Sequence, residues 1–311
     1  MEMICVMMST YNGEKYIYEQ IDSIINQKAE DILLLIRDDG SVDRTKEIIN
    51  SFIGNLPNKR EIILLEGDNI GVERSFYELI YYAKRKIKKC QYYAFADQDD
   101  VWNENKLLVA SKILGTMSYN DPNLYFSNLK VVDENLKFMG YKFKRGYVKN
   151  SKEFIVSEMC AWGCTCVFNY MALKEISRIQ YSYFLAHDNW ILWVCAFCGN
   201  LHYDYNSYIL YRQHKDNASG QIVFGVKKIL NDINKVCNIS NMRPECELRA
   251  KLIFDMYNDK LSFADRNLIK KIAFYKKTPI NRIKLLFDLN ITSGHIRKEI
   301  GRRIRIMIGA I

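Results

Sequence analysis

The run Tyr92-Tyr93-Ala94-Phe95-Ala96-Asp97-Gln98-Asp99-Asp100-Val101-Trp102 sets three carboxylates within four residues, directly after a stretch that reads as a buried strand. A strand ending in clustered acids aims them at one rim of a sheet, and their mutual repulsion is costly unless a cation or polar ligand offsets it. The cluster therefore asks for a divalent metal, and a metal at such a rim commonly holds phosphate. Asp38-Asp39-Gly40-Ser41 closes an earlier apolar run, Ile32-Leu33-Leu34-Leu35-Ile36, in the same manner. Two acidic strand ends within the first hundred residues suggest a nucleotide site.

Outward from these runs, the first 130 residues alternate between two textures. Residues 4–8, 32–36, 62–65 and 92–95 are short, continuous apolar runs suited to strands buried on both faces. Helical patterns separate them at about 14–27, where Ile17, Ile21, Ile24 and Ile25 share a face, and at 41–52, 72–88 and 103–117. Such alternation predicts an α/β fold with a mostly parallel, Rossmann-like sheet flanked by helices. Ligands of such sheets bind beyond the carboxyl ends of the strands. Thr10-Tyr11-Asn12-Gly13, Asp38-Asp39-Gly40, Gly67-Asp68-Asn69 and the acid cluster all fall there.

Further on the pattern is mixed. Residues 124–126, 130–132, 164–168 and 203–211 read as strands and 188–197 as a helix. Beyond Gly220 the chain reads as helical, at about 224–237, 245–258, 262–275, 279–289 and 295–309. The expected organisation is a catalytic domain over 1–220 and a helical C-terminal region over 221–311.

With 311 residues and 49% hydrophobic content, the chain can bury a sizeable core. No apolar run reaches the ~20 residues that a spanning helix needs, and the start carries no signal-peptide pattern. Nine cysteines without a repeating framework suggest reduced thiols and a cytoplasmic location. Cys195 and Cys198 have zinc-like spacing, but their apolar, aromatic surroundings favour core packing. The net charge of +9 resides in residues 265–311, which hold twelve Lys or Arg against three acids. A neutral body without a recognition motif argues against nucleic acid as a partner.

Seven motifs in order carry a resemblance. Ser9-Thr10-Tyr11-Asn12-Gly13, Asp38-Asp39-Gly40-Ser41, Asn69-Ile70-Gly71-Val72 and Asp97-Gln98-Asp99-Asp100-Val101-Trp102 are followed by Gly163-Cys164-Thr165, His187-Asp188-Asn189-Trp190 and Tyr211-Arg212-Gln213-His214. Over about residues 3–220 the chain resembles inverting family-2 glycosyltransferases of the GT-A fold. Its wording is most similar to the rhamnosyltransferase-like branch, which builds bacterial surface polysaccharide. Many relatives have Trp-Trp after His-Asp, where this chain has Asn189-Trp190, so acceptor specificity does not carry over.

The resemblance implies a dTDP- or UDP-sugar donor, dTDP-L-rhamnose above all, and a lipid-linked or saccharide acceptor. It implies Asp188 as the general base, with helix N-capping as the structural alternative. The leaving diphosphate gains negative charge as the glycosidic bond breaks, so Mg²⁺ or Mn²⁺ is the expected cofactor. Asp99 is the expected metal ligand, Asp97 a metal or ribose contact, and Asp100 a residue that orients the loop or approaches the donor sugar. Capping of the next helix accounts for one of these acids but not for three. Asp39 would accept from the N3–H of uracil or thymine in a pocket lined by Thr10 and Tyr11, with Asn12 and Asn69 on the donor side. Asp38, Ser41 and Asp43 have local capping as an equal reading. His187 would touch the donor or orient Asp188, or sit at the surface. His214 is a metal or diphosphate ligand and Arg212 a phosphate partner. Trp162 and Gly163 would wall the acceptor cleft, with Trp190 also on the acceptor side.

The tail repeats Ile283, Leu286 and Leu289, then Ile300, Ile304 and Ile308, among arginines. Such helices suit the inner face of the cell membrane, where a lipid-linked acceptor resides, or else form a solvated face. Two other classes fit the acids less well. A sugar-phosphate nucleotidyltransferase would want a basic, Gly-rich loop after the first strand. A non-catalytic sugar-nucleotide-binding protein would not need the full set of acids.

Overall fold

The computed structural model describes residues 3–29, 31–179, 185–215, 217, 245–292, 294–309 and 311. The helix expected at 224–237 lies outside them. The chain divides into two compact units, one of residues 1–147, 161–195 and 199–220, the other of 148–160, 196–198 and 221–311.

The first unit is built on β1 (Met3–Thr10), β2 (Asp31–Asp38), β3 (Arg60–Glu66) and β4 (Tyr92–Ala96), which pair in parallel in the order β3-β2-β1-β4. Residues 5–8, 33–36 and 93–96 have no exposed surface, as continuous apolar runs require when both faces are covered. The intervening helices are α1 (Ile17–Ile25), α2 (Thr45–Ile53) and α3 (Val72–Lys86). Ile17, Ile21 and Ile24 of α1 are wholly buried, so the expected apolar face is the one that packs. The helix α4 (Lys106–Leu114) begins three residues later than the expected 103. Its first amides are met from α1's end: Leu107 donates to Oε1 of Gln27 at 3.1 Å. Neither Asp99 nor Asp100 caps it, which leaves both acids for another purpose.

Past α4 the sheet changes direction. β8 (Val167–Asn169) runs antiparallel to β4, and β6 (Asn123–Val132) antiparallel to β8. β9 (Asn200–Arg212) pairs in parallel with β6 and antiparallel with the two-residue β5 (Val101–Trp102), while β7 (Phe138–Tyr141) pairs with β6. The runs at 124–126 and 130–132, expected as separate strands, form one strand. The polar Ser127 and Asn128 between them are buried and hydrogen-bonded, and Asn128 ties down the loop through Phe143 (Nδ2 to O 2.9 Å, N to Oδ1 3.0 Å). The strand expected at 164–168 starts later, because Gly163–Thr165 is a 3₁₀ turn. A short helix α6 (Tyr170–Ile176) and the helix α7 (His187–Cys198) follow.

The second unit holds α5 (Lys152–Ser157), α8 (Glu245–Tyr257), α9 (Phe263–Ala273), α10 (Pro279–Leu286) and α11 (Ile296–Ile308). Ser262 and Thr278 cap α9 and α10 through their hydroxyls, and Pro279 opens α10 where no amide hydrogen is needed. Ile253, Tyr257, Ile269 and Tyr275 make its core. No helix among the described residues is long and apolar enough to cross a membrane.

Candidate active site

Parallel pairing of β1, β2 and β4 brings their carboxyl ends to one edge, and the loops there are tied to one another by side chains. Asp38 accepts from Thr10 Oγ1 (3.1 Å), Ser41 N (2.8 Å) and Ser41 Oγ (2.6 Å), and Ser41 Oγ accepts from Asn12 N (2.9 Å). Asn12 Oδ1 in turn accepts from Val42 N at 3.0 Å. Asp43 accepts from Thr45 N and Glu14 N, both at 3.0 Å, which is the capping role open to it in sequence. Gln98 holds the first loop to the acid loop: its Oε1 accepts from Tyr11 N (2.9 Å) and its Nε2 donates to Tyr11 O (3.0 Å). A Cβ at Gly13 would collide with that amide, so only glycine admits this clamp.

Several expected ligand-facing residues turn inward. Thr10 is 1% exposed with its hydroxyl on Asp38, so it supports the turn and does not line an open pocket. Asp39 is 2% exposed and holds Arg37 as well as the amides of Ile70 (3.0 Å) and Gly71 (2.9 Å) at the start of α3. A carboxylate there is favoured by the helix dipole, and it holds the β3–α3 loop from beneath. Tyr11 and Asn69, in contrast, are exposed at the edge.

The acids at 97–100 do three different jobs. Asp97 is half-buried. Burial, then the charges of Asp99 and Asp188, push its carboxyl up to about 7. Asp99 Oδ2 meets His214 Nε2 at 2.7 Å and accepts from Asn217 Nδ2 at 3.3 Å. Asp100 has no exposed surface, which removes it from direct donor contact. Its Oδ1 accepts from Arg212 N at 3.1 Å, while Oδ2 has no hydrogen-bond partner among the described residues, and burial holds the carboxyl well above the usual range. Of the two roles expected for Asp100, orienting the loop is the one its position allows.

Arg212 is also corrected. It is 3% exposed, and its guanidinium donates to Asp99 O (2.9 Å), Glu134 O (2.6 Å) and Glu19 while lying over the Tyr16 ring at 4.6 Å. It is a bracket for the acid loop and presents no free fork to phosphate. The antiparallel pairing of β5 with β9 delivers it there, since Val101 faces Leu210.

From the other side, Asp188 enters in the first turn of α7. It is 8% exposed, accepts from Asn189 N at 2.6 Å, and is close enough to Asp97 to raise its pKa. His187 does not sit at the surface: its ring stacks on Phe76 at 3.9 Å and meets Phe95 edge-on at 4.6 Å. Burial pulls it down to about 3, so it is neutral. A Cβ at Gly163 would lie 2.8 Å from His187 Nε2. Gly163→Ala should therefore displace the imidazole and cost about 1–3 kcal/mol, read as a lowered denaturant midpoint. Trp162 is half-buried under Lys142 and edge-on to Tyr211 at 5.4 Å. Trp190 has no exposed surface at all, so as a core residue it cannot face an acceptor.

Lys106, which sequence alone does not single out, and Cys164, of the Gly163-Cys164-Thr165 motif, lie beneath the acids. Among the described residues the one group of three possible metal ligands is Asp97, Asp100 and Cys164, with ligand atoms within 4.8 Å of one another. Cys164 is wholly buried; its motif marks it in sequence, but nothing there shows that its thiol adjoins the acids. Lys106 is 1% exposed, lies 3.2 Å from the Trp102 ring centre, and has no hydrogen-bond partner for its amine among the described residues. Burial pulls it down to about 7, against the attraction of Asp100 and Asp97. At the start of a helix it reads as a surface lysine.

The repulsion recorded in Asp97 and the unpartnered oxygen of Asp100 are what a bound cation would relieve, and carboxylate oxygens with an imidazole suit Mg²⁺ or Mn²⁺. A pH dependence follows. Between about 4 and 7 the folded state holds a proton on Asp97 that the unfolded chain has released, so stability falls as pH rises through that window. Metal-free protein should melt higher at pH 5 than at pH 7.5 by more than Asp97→Asn does, at about 2–4 °C per kcal/mol. Added Mn²⁺ should close the gap.

Residues 5–177 match the family described as Glycosyl transferase family 2. A dTDP-rhamnosyl transferase, RfbG of Shigella flexneri, is 30% identical over 226 residues, covering 68% of this chain and 73% of that protein. The minor teichoic acid biosynthesis protein GgaA of Bacillus subtilis is 30% identical over 108 residues, 34% of this chain and 23% of GgaA. Among solved structures, S. aureus TarS 1–349 superposes with a TM-score of 0.58 at 14% identity, covering all of this chain and 81% of TarS 1–349. The same protein in complex with UDP-GlcNAc gives 0.57 at 16% identity, covering 98% of this chain and 81% of that one. At such identities the likeness is one of fold, and it bears out the expected GT-A architecture.

Proposed function

We propose that this chain, which belongs to glycosyl transferase family 2, is an inverting enzyme that moves a sugar, rhamnose foremost, from a dTDP- or UDP-sugar to a saccharide or lipid-linked acceptor in bacterial surface polysaccharide synthesis. The observation that supports this most directly is Asp188 set against the Asp97–Asp99 acids at the carboxyl edge of the parallel strands. One side then serves the donor diphosphate and the other the attacking hydroxyl.

In that reading Asp188 takes the proton from the acceptor hydroxyl as its oxygen attacks the anomeric carbon. The glycosidic bond breaks on the opposite face and the nucleoside diphosphate leaves. General-base assistance of this kind is worth about 10²–10⁴-fold. Tyr11, Asn12 and Asn69 border the nucleotide, with Asp39 holding the β3–α3 loop in shape. Asp99, Asp97 and His214 would hold Mg²⁺ or Mn²⁺, which when bound offsets the negative charge of the departing diphosphate. Gly163 and Trp162 flank the acceptor side, and neutral His187 fixes the start of α7 and with it Asp188. A cytoplasmic position at the inner face of the cell membrane fits a lipid-linked acceptor.

The test is a screen of nucleotide sugars by thermal shift with Mn²⁺ present, followed by transfer assays with the stabilising donor. A dTDP- or UDP-sugar should raise the melting temperature and be consumed in the presence of an acceptor. Absence of stabilisation and turnover with every such donor would overturn the reading. Release of pyrophosphate from a nucleoside triphosphate would favour the nucleotidyltransferase alternative instead.

A further inference from the structure

The two helices of the second unit that end the chain are amphipathic with their apolar faces turned outward. Along α10 and its C-cap residue, Ile280, Ile283 and Phe287 follow i, i+3, i+7 spacing and are 63%, 54% and 66% exposed, while Leu285 on the opposite side is 1% exposed. On α11, Ile300, Met307 and Ile308 are each about half exposed, and Ile306 on the reverse side is fully buried. The two helices adjoin, since Arg282 Nη1 donates to Met307 O at 3.3 Å. A water-exposed row of large aliphatic and aromatic side chains on neighbouring helices is not what solvation selects.

Among the described residues the exposed, unpaired charge of α10 and its entry is positive. Lys277 and Lys284 are exposed and have no ion pair among the described residues, whereas the acids of these helices are engaged: Asp288 with Lys271, and Glu299 with Arg302. Arg303 and Arg305 lie between Ile300 and Met307 along α11 and are half-buried. Apolar centre and cationic rim are the pattern of a helix that lies in a membrane interface. A protein–protein patch has a charge-depleted core and a polar, solvent-accessible rim, and nothing in it calls for a rim of unpaired cations.

We propose that the joined outer faces of α10 and α11 form a docking surface for an anionic lipid bilayer, with Ile283 and Phe287 entering the acyl boundary and Lys277 and Lys284 at the headgroups. This deepens the inner-face location given above. Vesicle binding is read without nucleotide sugar or acceptor, so failure of either reading leaves the other standing.

The test is co-sedimentation of the full chain with vesicles of phosphatidylglycerol and phosphatidylcholine in equal parts, and with phosphatidylcholine alone. The protein should pellet with the anionic vesicles, remain in solution with the neutral ones, and be released by salt. Ile283→Glu with Phe287→Glu should lower partitioning by about tenfold or more, and so should Lys277→Glu with Lys284→Glu. Neither pair touches the core, and an unchanged melting curve serves as the folding control. Equal binding to neutral vesicles, no binding to either, or unaltered binding by both double variants would overturn the proposal. So would a wild-type protein that ignores vesicles but dimerises through this face, with Phe287→Glu yielding monomer.

Discussion

Asp188→Asn is expected to reduce sugar transfer by about 10²–10⁴-fold while leaving nucleotide-sugar affinity nearly unchanged. The amide keeps the size of the side chain and can still meet the helix amides, so α7 should start where it does now. What it loses is the capacity to take a proton. The measurement is a pair: donor affinity by calorimetry with Mn²⁺, and single-turnover transfer with acceptor. A variant that transfers normally would remove Asp188 from the reaction. One that loses donor binding along with transfer would make it a donor contact.

Asp99→Ala should fail differently. Loss of even an outer partner of a metal ligand costs roughly 10–100-fold in affinity or activity, so removal of Asp99 itself should lower both donor affinity and transfer by at least about 100-fold. His214, now 2.7 Å from Asp99 Oδ2, would be left without its carboxylate. Chelation of divalent ions should reproduce the defect in the wild-type protein, and added Mn²⁺ should restore the wild type but not the variant. Full transfer in the presence of chelator would show that no ion is needed.

The contrast between these variants marks what was legible in sequence. Continuous apolar runs at 32–36 and 92–95 declared buried parallel strands, and the acids after them declared the ligand edge. That information is local, because strand and loop alternate over a few residues. Division of labour among the acids was not local. Asp39 is engaged by amides at 70 and 71, Asp100 by the amide of Arg212, and Arg212 by Glu19, across separations of 31 to 193 residues. The burial of Lys106 and Cys164 beneath the acids was invisible for the same reason, since it comes from tertiary packing and not from spacing. The strand at 123–132 was read as two because Ser127 and Asn128 look like a break. Their polar groups are satisfied inside the sheet, and no periodicity in sequence reveals that.

The bracket made by Arg212 has a consequence for how the protein comes into being. Strands β1 to β4 pair with one another in the first hundred residues, and the core they share can collapse while the chain is still short. The acid loop cannot be finished at that stage. Its backbone at Asp99 and its buried carboxylate at Asp100 wait for a guanidinium and an amide that leave the ribosome more than a hundred residues later. Closing so long a loop is slow compared with local helix formation. A nascent chain halted before residue 212 would therefore carry the carboxyl edge without a completed donor site, so the capacity to hold a nucleotide sugar should emerge late in translation, in a single step.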